Sequence, residues 1–557
     1  MNRLPLPGEA PGTTPVPGFL RRLGCRPLRF TTLLLAAMVL LPLLIVMAGW
    51  LQVEAEIWQH LSETVLPELV HNTVVLLLGV GAGVFVLGTS LAWLVTAYEF
   101  PGRKWLEWLL MLPLAMPAYV LAFVLISLLD FAGPVQGALH VLTADLSWFP
   151  QIRSPGGVII VMSLALYPYV YLLARSAFLS QGRNALEAGR VLGLGPVASF
   201  LRVALPMARP AVVAGVALAL METLADFGAV SVFNYDTFTT AIYKAWYGLF
   251  SLPAAAQIAS ILLLFVALAL FAERSARGKA RYETGRSRPA QRKQLMGRRA
   301  WLAAGFCWLV LIPAFLAPSA QLLVWVVETV HVELDAKYLS LLENTLLFGA
   351  IAAALTLLAS LILVLTLRQR DEPVTRTAVR IATLGYALPG SVLAVGSMIA
   401  FVAIDRRVSD WVLQLTGEQI GLLLSGSAFA LIFTYVVRFL AVAHGAVDSA
   451  FERVRPSYSE AARGLGARDF EIVRRVILPL LRPGMVTALL LVLVEVMKEM
   501  PATLLLRPFG GDTLAVRIYE LTSEGEWERA ALPSLTLVLA GLLPVLLLVR
   551  RTTRDPQ

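Results

Sequence analysis

The feature that most constrains this chain is the number and length of its apolar runs. They lie near 31–51, 72–97, 106–129, 156–178, 209–231 and 252–272, and again near 300–327, 344–367, 381–404, 419–440, 483–505 and 531–549. A helix that crosses hydrocarbon needs ~20 apolar residues, because each residue rises ~1.5 Å through a core ~30 Å thick. Twelve such helices use ~240 residues, and the chain has 557. Hydrophobic residues make up 58% of it and charged residues 15%. Soluble domains carry ~45–50% and ~25%. The expected fold is therefore an all-α integral membrane protein of about twelve transmembrane helices, and a soluble enzyme is excluded.

Charge placement gives the expected orientation, since Lys and Arg gather on the cytoplasmic side of short connections. Residues 52–71 hold Glu54, Glu56, Glu63 and Glu68 and no Lys or Arg, so they belong outside. Residues 273–299 hold ten basic residues against Glu273 and Glu283, so they belong in the cytoplasm. Residues 441–482 carry Arg453, Arg455, Arg463, Arg468, Arg474, Arg475 and Arg482 and belong there too. The Pro- and Arg-rich tail 1–30 and the C-terminal Arg550, Arg551 and Arg554 place both termini inside. The net charge of +9 is then topological and calls for no nucleic acid.

The second half repeats the first. Asn72-Thr73 recurs as Asn344-Thr345, and Met116-Pro117-Ala118 as Leu388-Pro389-Gly390, both at a spacing of 272. Glu187-Ala188, Gly193, Pro206, Pro210 and Glu222 recur at a spacing of 273 as Glu460-Ala461, Gly466, Pro479, Pro483 and Glu495. Asp236-Thr237 recurs as Asp512-Thr513 at 276. Generic apolar helices do not keep polar, Pro and Gly landmarks in register. Six spans per repeat give both halves one orientation, hence a pseudo-two-fold axis along the membrane normal. The expected organisation is a tail 1–30, a first half 31–272, a basic linker 273–299 and a second half 300–557.

Each half carries one distinctive loop, EAGRVLGLGPVASFLRVALPMARP at 187–210 and EAARGLGARDFEIVRRVILPLLRP at 460–483. The pattern predicts a polar-faced helix, a turn at Gly193 or Gly466 where left-handed backbone is cheap only for glycine, and a second helical stretch ending at a proline. These loops resemble the E-A-A loop of binding-protein-dependent ABC importer permeases: E-A-A, three residues, Gly, about nine residues, then an apolar-Pro pair. Glu460, Ala461, Ala462, Gly466 and Pro479 match it. Glu187, Ala188, Gly193 and Pro206 match it with Gly189 in place of the third residue. The resemblance covers nearly the whole chain. It implies that these residues form two coupling helices, each received by one of two copies of a separate ABC ATPase subunit that binds ATP and Mg. It further implies a periplasmic or lipid-anchored binding protein, membrane lipid around the spans and a bacterial inner-membrane location. The chain holds no G-x-x-x-x-G-K-[ST] and no H-E-x-x-H, and Cys25 and Cys307 form no C-x-x-C. No cofactor, catalytic residue or stable metal site of its own is expected.

Glu222 and Asp226, like Glu495 and Glu499, are spaced as if on one helix face. An intramembrane carboxylate costs ~2.5–3.5 kcal/mol or more, so it faces protein, water or a partner. One reading makes the four acids an oxygen-rich lining for a hard cation. The other has Lys498 paired with Glu495 and the remaining acids bonded to neighbouring helices or backbone. Pro117 and Pro389 are placed inside spans, either as bends lining the path or as packing kinks. Gly79, Gly81 and Gly83 are read as close helix packing. The segments 222–229, 237–243, 495–508 and 512–520 resemble the iron(III)-type fused permeases, which makes ferric iron the expected cargo. Thiamine and phosphonate permeases share the fused plan, and an ion-gradient-driven secondary transporter also fits twelve spans in two parallel halves.

Overall fold

The computed structural model describes residues 25–142, 148–181, 193–277, 292–369, 372–418 and 421–554. Almost all regular structure is helical, as the bilayer requires of chains that cannot leave backbone N–H and C=O groups unpaired in hydrocarbon. Among the described residues ten helices are long and apolar enough to cross. Pro373–Ala387 with Gly390–Thr416, bent by 114° at their junction, adds an eleventh if the pair is one span. Ala531–Leu546 is a shorter apolar helix. Ten or eleven crossing helices are thus counted among the described residues, and the shorter helix lies where the last of the twelve expected spans begins.

The chain forms two compact units. One holds the chain up to Leu41 with residues 350–386 and 436–493, and the other holds 42–349, 387–435 and the chain from Val494 onward. In the first unit the start of the opening helix Cys25–Ala48 lies on the second repeat. Leu35 packs on Ala359, Leu363, Val379, Ala382 and Leu440. Thr32 Oγ1 donates to Thr366 Oγ1 at 3.1 Å, and Arg29 pairs with Glu372 at 3.7 Å.

In the second unit the helices Leu66–Ala97 and Pro155–Ser180 run side by side. Gly79, Gly83 and Gly88 make this possible, because side chains there would strike Ile159, Ser163 and Val170. Trp325, on the opening helix of the second repeat, stacks on Phe123 of the first at 6.3 Å and 14°. Each repeat therefore lends its first helix to the other.

The repeat survives as matched hydrogen bonds. Asn72 Nδ2 donates to the Asp236 carbonyl at 3.0 Å, and Asn344 Nδ2 donates to the Asp512 carbonyl at 3.1 Å. The end of the basic linker pairs with the first half: Lys293–Gln294 runs parallel to Tyr98–Glu99, and Leu295 N donates to the Glu99 carbonyl at 2.9 Å.

Beside that bridge sits a buried ionic knot. Glu107 takes Arg103 Nη1 on Oε2 at 2.6 Å and Arg175 on Oε1, and Arg175 lies over the Trp108 ring. All three charged residues are at most 8% exposed. Glu107→Ala would take from buried Arg175 its carboxylate partner and leave buried Arg103 with Glu99 alone. Breaking a buried pair from one side costs about 3–5 kcal/mol, so this variant is expected to unfold in detergent at a clearly lower temperature than the parent. An unchanged melting temperature would show that the knot contributes nothing.

The coupling loops and the broken spans

In the second loop Glu460, Ala461 and Ala462 lie on the helix Pro456–Gly464. Its end is a Schellman cap. Ala467 N donates to the Ala462 carbonyl at 3.1 Å, Gly466 N donates to the Arg463 carbonyl at 2.8 Å, and Gly466 takes φ +85°. Ala462 and Ala467 turn inward against Ile472, Ile477 and Leu481, which accounts for small residues at both places. Glu460, Ala461 and Gly466 are exposed. In the first loop Gly193 takes φ +81°, the same left-handed turn, while Glu187 and Ala188 lie outside the described residues. A Cβ at either glycine would meet open space, so the glycine requirement is conformational and worth ~1–2 kcal/mol.

Pro206 and Pro479 do not end a helical stretch. The helix after each glycine runs on into the next span, as Pro196–Ala225 and Phe470–Lys498. Each holds a wide turn just before its Leu-Pro pair, at Phe200–Ala204 and Val473–Ile477, closed by Leu205 N to the Phe200 carbonyl and Leu478 N to the Val473 carbonyl. An ordinary α turn would drive the proline ring into the carbonyl four residues back. The wider turn moves that carbonyl away and lets the helix continue.

The acids differ from the one-face reading. The helices Leu205–Ala225 and Leu478–Lys498 stop just before Asp226 and Glu499. Asp226 is extended (φ −68°, ψ 132°), and its Oδ1 accepts Val230 N at 3.1 Å from the short helix Gly228–Val232. Glu499 Oε1 accepts Ala502 N at 3.0 Å from Pro501–Leu506. Both carboxylates thus hold backbone donors freed where a span breaks. Glu499 is 5% exposed, whereas Glu222 and Glu495 are half-buried.

Pro117 and Pro389 are not inside helices either. They are the N-caps of Ala118–Leu129 and Gly390–Thr416, with ψ 141° and 139°. A residue before proline avoids helical backbone, and Met116 is extended accordingly (ψ 120°).

The two sets of breaks meet. Lys498 Nζ donates to the Leu114 carbonyl at 3.0 Å, a group left free by the break before Pro117. The charges of Glu495 and Glu222 both act on Lys498, and those of Glu499 and Asp226 both act on Tyr119. A Cβ on Gly228 would strike Met500 and Tyr119, so the first repeat's short helix lies against the second repeat's break. The acids are therefore brought into one neighbourhood with Lys498 and Tyr119. Among the described residues no group of three or more His, Cys, Asp or Glu side chains is arranged to hold a metal ion.

Nothing in the sequence signals the Lys498–Leu114 bond, because its partner is a backbone carbonyl in the other repeat. The capping role makes a specific demand on Asp226. Asp226→Asn keeps an oxygen acceptor and should match the parent's thermal stability in detergent, while Asp226→Leu should lose about 0.5–2 kcal/mol. Equal stability of the two variants would remove the cap from the account.

Residues 84–280 and 362–551 match, as two separate copies, the family described as binding-protein-dependent transport system inner membrane component. The chain is 30% identical over 487 residues to the Fe(3+)-transport system permease protein FbpB 2 of Haemophilus influenzae, covering 86% of this chain and 89% of that one. It is 30% identical to the sulfate transport system permease protein CysT of Escherichia coli over 46% of this chain and 91% of the relative, so a half-length permease aligns with one repeat. A probable ABC transporter permease, y4fN of Sinorhizobium fredii, is 25% identical over 87% of this chain and 88% of its own length. With two family matches in register with its internal repeat and a set of membrane-crossing helices, the chain belongs to the inner-membrane permease components of binding-protein-dependent transport systems.

Proposed function

We propose that this permease imports ferric iron, delivered by an extracytoplasmic binding protein and driven by two copies of an ABC ATPase that bind ATP and Mg. The chain itself supplies the path and the two docking loops. Both termini and both loops face the cytoplasm, in keeping with the basic linker and the acidic segment 52–71.

The observation that carries the ATPase reading is the form of the second loop. Glu460 and Ala461 are exposed on a short helix fixed by its glycine cap, and beside them Leu465 and Phe470 are 89% and 65% exposed. Large apolar side chains on an Arg-rich, water-facing loop suit a surface that a partner covers. The helix after the cap is continuous with a span, so a push on the loop moves that span as a rigid body.

Iron is favoured by the full-length likeness to a ferric permease. Four acids and Tyr119 gathered at the breaks supply hard oxygen groups past which such an ion could move. The half-length likeness to sulfate permeases supports a second reading, an oxyanion cargo, for which Lys498 would be the attractive group.

Two measurements separate these readings. Gly466→Val and Gly193→Val should each strip the ATPase from the purified membrane protein while the permease still inserts. ATP-dependent uptake with the ATPase retained in both variants would refute the docking assignment, and uptake with no ATPase present would point to a gradient-driven carrier. In vesicles loaded with the partner subunits, radioactive ferric iron should accumulate, and thiamine, phosphonate, sulfate and molybdate should not. Single Glu222→Gln, Asp226→Asn, Glu495→Gln and Glu499→Gln variants should slow iron entry. Normal ferric uptake in all four would take these acids out of the path.

A further inference from the structure

Tyr243 and Tyr519 occupy equivalent positions of the two repeats. They are separated by the same spacing of 276 that relates Asp236 to Asp512. Their rings nevertheless touch each other, with centroids 6.2 Å apart at 75°. Phe227 packs on both rings, at 5.3 Å and 5.4 Å. Under a two-fold operation only points near the axis lie close to their own images. Two equivalent residues in contact therefore mark the pseudo-axis between the repeats. The contact of Gly228 with Met500 marks it again, since the positions 228 and 500 are equivalent to within one residue.

A path shared by two halves with an axis along the membrane normal runs along that axis. The tyrosines sit beyond the break at Asp226, at the far end of the span that begins at the first coupling loop. Ser231 and Tyr519 also line a polar pocket of about 380 Å³ whose other walls include Arg153, Thr522, Glu524 and Trp527. That pocket takes residues from both repeats, which suits the entrance side of a shared path.

We propose that Tyr243 and Tyr519 form the outer gate of the translocation path, closed in this structure by contact between the two rings that the pseudo-two-fold axis relates. This gate rests on the permease reading above and adds the residues that seal its outer end. Tyrosine suits such a role, since the ring is a rigid apolar plug and one ring contact holds the closed state by an amount small enough to be overcome in each cycle. Opening requires the two rings to separate as the repeats move apart on the outer side.

The test uses the full chain with its ATPase and binding protein in vesicles. Cys25 and Cys307 are replaced by Ser, and Tyr243→Cys with Tyr519→Cys are introduced together. A bis-thiol reagent long enough to replace two phenol rings should cross-link the pair and abolish uptake, and reductive release of the reagent should restore it. Undiminished uptake after cross-linking overturns the gate, and so does failure of the two thiols to cross-link.

Tyr243→Ala with Tyr519→Ala removes the ring contact and serves where the cysteine pair fails to fold. It should raise ATPase activity in the absence of binding protein about two- to tenfold, the effect of losing one aromatic pair from the closed state. Unchanged activity overturns the gate. The parent without the cysteine pair must import cargo with ATP, and its failure to do so would count against the permease's proposed function rather than against the gate.

Discussion

The bilayer leaves no water to satisfy a broken helix, and that constraint governs the functional part of this protein. Four spans break at proline or just before an acid, and each break frees backbone groups where none can be left unpaired. At two of them carboxylates supply the partners, Asp226 to Val230 N and Glu499 to Ala502 N. At a third the ammonium of Lys498 reaches the freed Leu114 carbonyl. The polar side chains within the spans are thus first of all the means by which irregular backbone survives at membrane depth. Irregular backbone is tolerated there only where protein or a water-lined cavity surrounds it. The same groups that make the breaks possible are therefore gathered in one neighbourhood with Tyr119.

Duplication supplies the second organising rule. Equivalent residues do equivalent jobs: Asn72 and Asn344 tie the start of a span to the carbonyl of Asp236 or Asp512, Gly193 and Gly466 make the same left-handed turn, and wide turns precede both Leu-Pro pairs. The repeats are also interlaced, since Leu35 and Trp325 carry each half's opening helix onto the other half. Interlacing explains why a fused chain is workable. The two halves cannot separate fully without unpacking those helices and the apolar core they share, in which Val392 and Val395 of the second half pack with Ile258 and Leu262 of the first.

The second loop leads into the helix that ends just before Glu499. The glycine cap at Gly466 is stiff because the backbone there is left-handed and the flanking Ala462 and Ala467 are locked into an apolar cluster. The helix beyond it runs on through the wide turn at Val473–Ile477 to Lys498, where the break begins.

Membrane class, the internal repeat, the paired loops and the glycine turns were legible in the sequence, because each depends on local chemistry. Apolar length decides whether a segment can cross, and only glycine takes the left-handed backbone of these turns cheaply. The family followed from the same residues. Helix boundaries at Asp226, Glu499, Pro117 and Pro389 were not legible. Spacing by four predicts a shared face only if the helix continues, and here it stops. What only the tertiary structure decided is which groups meet across the repeats: Lys498 with Leu114, Gly228 with Met500, Tyr243 with Tyr519. In each case the partners belong to different repeats, far apart along the chain. Such contacts are set by how helices pack around a common axis, a long-range geometry that local patterns of polarity do not encode.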